Sequence, residues 1–375
     1  MRQDRATSKD VARLAGVSRT TVSFVLNERQ DVLISEATRR RVRAAAIELG
    51  YHPHEPARQL AGGASRTLGL VMHQAPEQVA VDALLAETLR GLATVARGSG
   101  FRVLVETMAP GPDGYTDLLQ SRQVDGLVIS GPRADDVVLR DPASAALPIV
   151  LQGTLSEAVV PSVDVDNHAG ARDAVEHLIS LGHRQVACIT NAPLAYTAAA
   201  DRVEGYRAAL REAGLTADAT LLAEGDFDAA SGHRAMAQLL ARGRHFSAVF
   251  VASDTVAVGA IAALRQAGLE VPGDVSVVGF DDVPLAAFFD PPLTTIHLPA
   301  FELGATAGQV LVDRVRGGAV ASQTTLATTL VVRASTSPYR AGTRRPIPTP
   351  QGAPEVPAAS PTAHGDARSR RDGRP

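Results

Sequence analysis

The stretch DVARLAGVSRTTVSFVLN, residues 10–27, contains two short segments with apolar residues at helical spacing, separated by a glycine. We predict a first helix over about Ser8–Ala15 that ends at Gly16, because glycine adopts the left-handed conformation of a helix end without a Cβ clash. Ser18 then caps a second helix that runs to about Leu26. Two short helices joined by a glycine turn indicate a helix-turn-helix. The side chains expected to face inward are Val11, Leu14 and Ala15, then Val22, Val25 and Leu26.

A third helix completes this N-terminal head, which we place at residues 1–51. Ser35 and Glu36 open the helix and Gly50 ends it. Its apolar face comprises Val42, Ala45, Ala46 and Leu49.

Charge is unevenly distributed along the chain of 375 residues. Residues 1–60 contain eleven Arg and Lys against seven Asp and Glu, whereas residues 61–339 contain 19 against 30. A basic head on an acidic body suggests that the head meets a polyanion and the body does not. A chance surface fluctuation is the alternative.

The body after about residue 64 alternates apolar strands with amphipathic helices. Continuous apolar strands separated by helices indicate parallel sheets covered on both faces, so we predict an α/β fold with two doubly wound subdomains. The predicted strands are 67–72, 101–106, 124–130, 148–152, 185–190, 247–252 and 275–280. The predicted helices lie near 77–98, 168–181, 199–213, 229–242, 255–267 and 300–316. Residues 340–375 are rich in Pro, Ala and Arg, and we expect a disordered tail there.

The composition excludes several classes of protein. No apolar run approaches the 18–20 or so residues that span a bilayer, and the N-terminus has no apolar signal stretch, so we expect a cytoplasmic protein without a membrane partner. Cys188 is the only cysteine, which excludes intrachain disulfides and multi-cysteine metal sites. The sequence has no nucleophile elbow, P-loop, HExxH or dinucleotide-binding glycine pattern. We therefore predict that the protein is not an enzyme and uses no cofactor or metal.

The second helix has the side chains that read DNA in the major groove. Arg19 suits guanine, while the hydroxyls of Thr20 and Ser23 suit a base edge or phosphate. The helix N-terminus at Ser18 and the hydroxyls of Thr21 and Thr38 suit phosphate oxygens. The alternative is a small three-helix bundle with a solvated Arg/Thr face.

The sequence resembles the LacI/GalR family of bacterial transcription regulators. The resemblance rests on DVARLAGVSRTTVSFVLN, ISEATRRRV, LGYHPHEPARQLAGG, SDTVAVGAIAALRQAGLEVPGDVSVVGFDD and PPLTTI, and covers residues 7 to about 339. It implies a homodimer with a helix-turn-helix head, a hinge helix at 52–63 and a periplasmic-binding-protein-like core at 64–339 that takes a small effector. In this interpretation the N-subdomain comprises about 64–163 and 295–322, and the C-subdomain about 164–294 and 323–339.

The resemblance also assigns roles in DNA recognition. Arg19, Thr20 and Phe24 match the variable base readers, and Leu60 matches a wedge that enters the minor groove at the centre of a palindromic site. An apolar Leu60 can unstack a base step, and Ala57 allows close approach, although a plain linker is the alternative. Phe24 either contacts a thymine methyl or packs over the head core beside Leu26 and Leu33. The full set of predicted DNA contacts is Ser18, Arg19, Thr20, Thr21, Ser23, Phe24, Asn27, Thr38, Tyr51, Ala57 and Leu60.

A doubly wound core binds its ligand at the carboxyl ends of the strands. A polyol needs carboxylate acceptors, a multi-donor group and an aromatic face, and the resemblance matches Arg202 and Asp254 to an effector-gripping pair and Phe227 to an aromatic near the ligand. His73 and Gln152 are further effector contacts, each at the end of a strand. Helix capping or surface roles are the alternative. We expect structural or pocket-rim roles for Asp281 and Asp282.

These features predict a sequence-specific DNA-binding regulator, a repressor controlled by a sugar, which works at the nucleoid. Response to a purine or nucleoside, and action as an activator, remain open. A sugar-transport or sugar-processing protein on a similar fold is the other class. It would need a signal peptide or a catalytic constellation instead of the head.

Overall fold

The computed structural model describes residues 6–26, 32–51, 64–108 and 114–341. The predicted hinge helix at 52–63, with Ala57 and Leu60, lies outside the described residues, as do Asn27 and most of the predicted tail. These predictions therefore remain untested.

The head consists of α1 (Ser8–Ala15), α2 (Arg19–Leu26) and α3 (Glu36–Glu48). Thr7 and Asp10 close a capping box at the start of α1, and Gly16 ends it at φ 64°. Val11, Val22 and Val42 bring the three helices together in one small core. The inward face of α1 differs from the prediction, because Ala12 is buried while Leu14 is 48% exposed.

The first sheet of the body is parallel throughout and has the order β11-β5-β4-β3-β1-β2. Its strands are β1 (Thr67–Met72), β2 (Arg102–Thr107), β3 (Gly126–Ser130), β4 (Ile149–Gln152), β5 (Ser162–Val165) and β11 (Gln323–Leu326). Its helices are α4 (Pro76–Val79), α5 (Ala83–Gly98), α6 (Gly114–Gln120) and α11 (Ala300–Val315).

The second sheet has the order β12-β10-β9-β8-β6-β7, and only its edge strand β12 runs antiparallel among these described strands. Its strands are β6 (Val186–Ile189), β7 (Leu222–Ala223), β8 (Ala248–Val251), β9 (Ser276–Asp281), β10 (Thr294–His297) and β12 (Thr329–Val331). Its helices are α7 (Asn167–Ser180), α8 (Thr197–Glu212), α9 (Ala229–Ala241) and α10 (Asp254–Gln266). The two-sheet α/β body is therefore as predicted.

The sheets correct the predicted subdomain boundaries by a few residues. β5 and β11 belong to the first sheet and β10 to the second, so the chain crosses after residues 165, 297 and 326. The predicted boundaries at 163/164, 294/295 and 322/323 cut through or precede these strands.

The prediction of a single helix at 77–98 is wrong, because Asp82 accepts hydrogen bonds from the Leu84 and Leu85 amides and starts a new helix.

No helix in the described ranges is long and apolar enough to cross a membrane.

Helices α9 and α10 approach each other so closely that only glycine fits at their crossing. A Cβ at Gly259 would lie 1.6 Å from the Ala229 carbonyl oxygen. We expect Gly259→Ala to lower the free energy of unfolding by about 1–3 kcal/mol or more, because backbone atoms cannot move aside cheaply. Urea denaturation measures this. Gly98→Ala is the matched control, since nothing lies within 4 Å of its Cβ position, and it should be neutral or stabilising by up to about 1 kcal/mol. Equal effects of the two substitutions would contradict the tight crossing.

Candidate functional site

A cavity of about 140 Å³ lies between the two sheets, at the carboxyl ends of their strands. Gln74 follows β1, while Gln152 ends β4, and both face it from the first sheet. Asn191 follows β6 and Asp281 ends β9, on the side of the second sheet. The carboxyl-end rule for doubly wound sheets therefore holds on both sides of the cleft.

Arg202 projects from α8 into this cavity and is 5% exposed. Its Nε donates to Asn167 Oδ1 at 2.9 Å, and its Nη1 donates to the Ala252 carbonyl at 2.6 Å. Nη1 also lies 3.5 Å from Asp281 Oδ1, and the guanidinium lies 3.7 Å from the centre of the Phe280 ring. Burial lowers the pKa of Arg202, and Asp281 opposes that shift. The protein thus holds a buried cation by hydrogen bonds, one carboxylate and an aromatic face.

Four buried acceptor atoms in the cavity wall receive no hydrogen bond from any residue that the structure describes. Asp281 Oδ1 is one of them. The others are Gln74 Oε1, Gln152 Oε1 and Asn191 Oδ1. A buried acceptor left without a donor costs about 1–3 kcal/mol. Asp281 Oδ1 is partly compensated by Arg202 Nη1 at 3.5 Å, so the cost falls mainly on the three amide oxygens, and hydroxyl or amine donors of a ligand suit this wall.

Three carboxyl groups line the cavity, those of Asp82, Asp164 and Asp281. Burial raises the pKa of Asp164 to about 6, although it accepts hydrogen bonds from the Val165 amide and Thr154 Oγ1. Burial also raises the pKa of Asp82 and that of Asp281, where Arg202 opposes the shift. These groups are acceptors that a neutral polyol can use.

Two aromatic rings form another part of the wall. Tyr196 and Phe227 meet edge to face, with ring centres 5.0 Å apart and planes at 85°. Phe227 has φ 63°, which is rare for an aromatic residue, and its amide donates to the Asn191 carbonyl at 2.8 Å. Backbone strain of this kind clusters at functional sites, which agrees with a ligand-facing ring.

The two halves of the body also touch directly at one rim of the cavity. The Ala134 amide donates to the Ala195 carbonyl at 2.8 Å, and the Thr197 amide donates to the Pro132 carbonyl at 3.2 Å. Tyr196 donates its hydroxyl proton to the His73 carbonyl. The cleft is therefore closed over the cavity at this rim.

Of the five predicted effector contacts, Arg202, Phe227 and Gln152 line the cavity. Asp254 does not. It is fully buried behind the wall, where Oδ1 accepts from Thr295 Oγ1 at 2.6 Å and Oδ2 accepts from the Val283 amide at 3.0 Å. Asp281 lines the cavity instead. From the sequence we expected only a structural role or a position at the rim of the pocket for this residue.

His73 does not line the cavity either. Its ring is buried with its centre 6.3 Å from that of Tyr115, and neither ring nitrogen has a hydrogen-bond partner in the described part of the chain. Burial lowers the pKa of His73, which favours the neutral ring. Only its backbone carbonyl takes part in the site, through Tyr196.

The second helix of the head presents its N-terminal end to solvent. Ser18 Oγ accepts from the Thr21 amide at 3.0 Å, which confirms the predicted cap. Arg19, Thr20 and Ser23 are exposed beyond it. Ser35 caps α3 through the Thr38 amide at 3.3 Å. These capped ends are suited to a phosphate backbone.

The two aromatic residues among the predicted DNA contacts differ in packing. Phe24 is half-buried. Leu33, which we expected beside it in the core alternative, is fully exposed. Tyr51 packs against the core cluster, which gives it a structural role in the head.

Sequence profiles and relatives agree on one family. The profile of bacterial regulatory proteins, lacI family, matches residues 7–54, and that of the periplasmic binding protein-like domain matches residues 175–336. The chain is 36% identical over 339 residues to the transcriptional repressor CytR of Escherichia coli K12, covering 88% of this chain and 96% of CytR. It is 37% identical over 324 residues to the transcriptional regulator CelR of Thermobifida fusca, covering 84% of this chain and 94% of CelR. The chain belongs to the lacI family of bacterial regulatory proteins.

Solved structures give the same result. The Lac repressor dimer bound to operator and the anti-inducer ONPF superimposes with a TM-score of 0.77 at 32% identity, covering 89% of this chain and 100% of that chain. The CelR–cellobiose complex gives a TM-score of 0.68 at 36% identity, covering 88% of this chain and 100% of that chain. This lacI-family protein is a DNA-binding transcriptional regulator and not an enzyme.

Several residues that line the cavity of this lacI-family regulator were not among the predicted effector contacts. Gln74 and Asn191 directly follow strands that were predicted, so the carboxyl-end rule could have found them. Asp164 and Asn167 belong to β5 and the start of α7. β5 is short and carries the polar sequence SVDV, so it gave no apolar run to detect.

Proposed function

We propose that this lacI-family regulator is a repressor that binds a pseudo-palindromic operator as a homodimer and releases it when a monosaccharide occupies the cavity. The ligand part of the proposal is carried by the three lining residues Gln74, Gln152 and Asn191, whose buried amide oxygens have no donor in the described part of the chain. A sugar ring presents hydroxyl donors on all sides, and its apolar faces suit Tyr196 and Phe227.

The size of the cavity favours one sugar ring. A cavity of about 150 Å³ holds benzene, which is a six-membered ring. The cavity here is about 140 Å³, and a monosaccharide carries hydroxyl groups outside its ring, so the closed cleft has room for one sugar ring at most. A disaccharide would require the two halves to separate at the rim formed by Pro132 and Thr197.

The DNA part of the proposal rests on α2. Arg19 and Thr20 are exposed at its capped N-terminus, where they can reach base edges in the major groove, while Ser18 and Thr38 lie at helix ends suited to phosphates. Phe24 sits one turn beyond Thr20 on nearly the same face of α2, which suits a thymine methyl contact. The Lac repressor binds its operator as a dimer, and the similarity over 89% of this chain supports the same assembly. Operator binding would place the protein in the cytoplasm, at the nucleoid.

A nucleoside is the second candidate ligand. Its ribose would use the same acceptors, and the edge-to-face rings of Tyr196 and Phe227 offer a surface for a base. A nucleoside has two ring systems and would need a more open cleft than the present one.

A ligand screen tests the proposal. We expect a monosaccharide to raise the melting temperature, since ligand at 100 times its Kd stabilises the folded state by about 2.7 kcal/mol. The panel contains pentoses, hexoses, cellobiose and nucleosides. Gln152→Ala should lower the affinity for the sugar found in the screen by about 5- to 150-fold, because one buried hydrogen bond of about 1–3 kcal/mol is lost. Gln238→Ala, on the exposed face of α9, is the control and should leave the affinity unchanged. Stabilisation by nucleosides or cellobiose but by no monosaccharide would contradict the proposal.

A further inference from the structure

The charges around the cavity are unbalanced. Its wall contains the three carboxyl groups of Asp82, Asp164 and Asp281, but only one cationic side chain, that of Arg202, among the described residues. Asp254 lies directly behind the wall, where burial and then the charge of Asp281 raise its pKa. The nearby Arg133 is outside the lining and pairs with Asp135 at 2.7 Å.

The one cation is held by the protein through two of its three nitrogen atoms. Arg202 Nε donates to Asn167, and Nη1 donates to the Ala252 carbonyl while facing Asp281. Its flat face lies on the Phe280 ring. Nη2 makes no hydrogen bond to any residue that the structure describes, so a ligand oxygen could reach it, but an anion bound there would bring its charge next to Asp281.

One helix end that faces the cavity, the start of α5, is capped by a carboxylate of the protein itself. Leu84 and Leu85 line the cavity at the start of α5, where amides commonly bind phosphate. Here Asp82 Oδ1 accepts from both amides, at 3.0 and 3.1 Å. The protein has thus placed its own carboxylate where a phosphate group would sit.

We propose that the cavity selects by charge, so that its effector is a sugar without phosphate or carboxylate, and that Asp82 and Asp164 are the residues that exclude anions. This inference rests on the proposed function, because it specifies the class of sugar. Like charges in a water-poor site repel strongly, since the effective dielectric constant there is far below that of water. Hydroxyl and amine donors, in contrast, match the unpaired acceptors Gln74, Gln152 and Asn191.

Calorimetric titration with matched pairs of probes tests the inference on the full chain. The pairs are glucose, galactose and ribose, each against its terminal phosphate, and glucose and galactose against their uronates. We expect at least one neutral sugar to bind and its phosphate and uronate to bind at least about 100-fold more weakly. A phosphate or uronate that binds as tightly as its neutral parent, or binds when no neutral sugar does, would overturn the inference.

Variants show whether the named carboxylates are responsible. Asp82→Asn keeps a side chain that caps helices well but removes the charge, so the affinity ratio between neutral sugar and phosphate should fall about tenfold. Asp164→Asn should act in the same direction. Asp290→Asn removes one charge from a side chain that is 96% exposed and should leave the ratio unchanged. A ratio that stays at the parental value in both cavity variants would refute the assignment.

Failure of the proposed function would be recognised separately. If nucleosides bind and monosaccharides do not, the monosaccharide proposal is wrong, and the same comparison is made between nucleosides and their 5′-monophosphates. Exclusion of the monophosphates would then support charge selection, and their equal or tighter binding would overturn it.

Discussion

Replacing Arg202 by alanine is expected to lower the free energy of unfolding by about 3–5 kcal/mol and to abolish the response to any sugar. The substitution leaves Asp281 buried without a cation. It also removes the hydrogen bonds that Arg202 donates to Asn167 Oδ1 and to the Ala252 carbonyl. Truncating one partner of a buried ion pair has this cost because the remaining charge stays in a site with little water. Urea denaturation measures the first effect and calorimetric titration the second.

Two further variants make this result specific. Arg202→Lys keeps the charge but cannot reproduce the planar contacts with Asn167 and Phe280, so it should fold while binding sugar much more weakly. Arg207→Ala, on the same helix, removes an exposed arginine that pairs with Glu204 at 2.6 Å, and should change stability by about 0–1 kcal/mol. An Arg202→Ala protein as stable as the Arg207→Ala protein would show that the buried pair is not essential.

Replacing Arg19 by alanine is expected to weaken operator binding by about 2–6 kcal/mol in a dimer, since each half-site loses one specific contact of about 1–3 kcal/mol. Arg19 is exposed at the first position of α2, and its side chain supports neither the cap made by Ser18 nor the core around Val22. The head should therefore stay folded. Fluorescence anisotropy at fixed salt, with an operator selected from random DNA, measures the loss.

The matched control is Arg13→Ala on α1. Arg13 carries the same charge, is 82% exposed and pairs with Asp10 at 2.7 Å. It should weaken specific and non-specific DNA binding by similar, small factors, as loss of general electrostatic attraction does. Arg19→Ala should weaken operator binding far more than binding to unrelated DNA. An equal loss on both DNAs would show that Arg19 contacts phosphate and reads no base.

Much of the fold follows from local sequence signals. Ser18 and Ser35 cap their helices as hydroxyl residues before amphipathic runs predict, and Gly16 adopts the positive φ that its position requires. Apolar strands such as β1 and β9 were found because they are buried on both faces. The threonine-rich edge strand β11 was missed, since its half-exposed sequence has no continuous apolar run.

The cavity was less predictable because its geometry depends on contacts between distant parts of the chain. Asp254 follows β8 and Asp281 ends β9, yet only Asp281 faces the cavity. Asp254 is turned into the core by Thr295 and Val283, which lie 41 and 29 residues away in the sequence. Local sequence cannot distinguish a carboxylate that meets a ligand from one that satisfies its own backbone.

The claim that a sugar in the cavity controls operator binding is tested most directly by the affinity for operator DNA. This affinity is measured with and without a saturating concentration of the monosaccharide found in the screen. We expect the sugar to raise the operator Kd by about 5- to 150-fold, which corresponds to a coupling free energy of about 1–3 kcal/mol. By linkage, saturating operator should raise the sugar Kd by the same factor. An operator Kd that is identical with and without bound sugar would contradict the account, even if the sugar occupies the cavity.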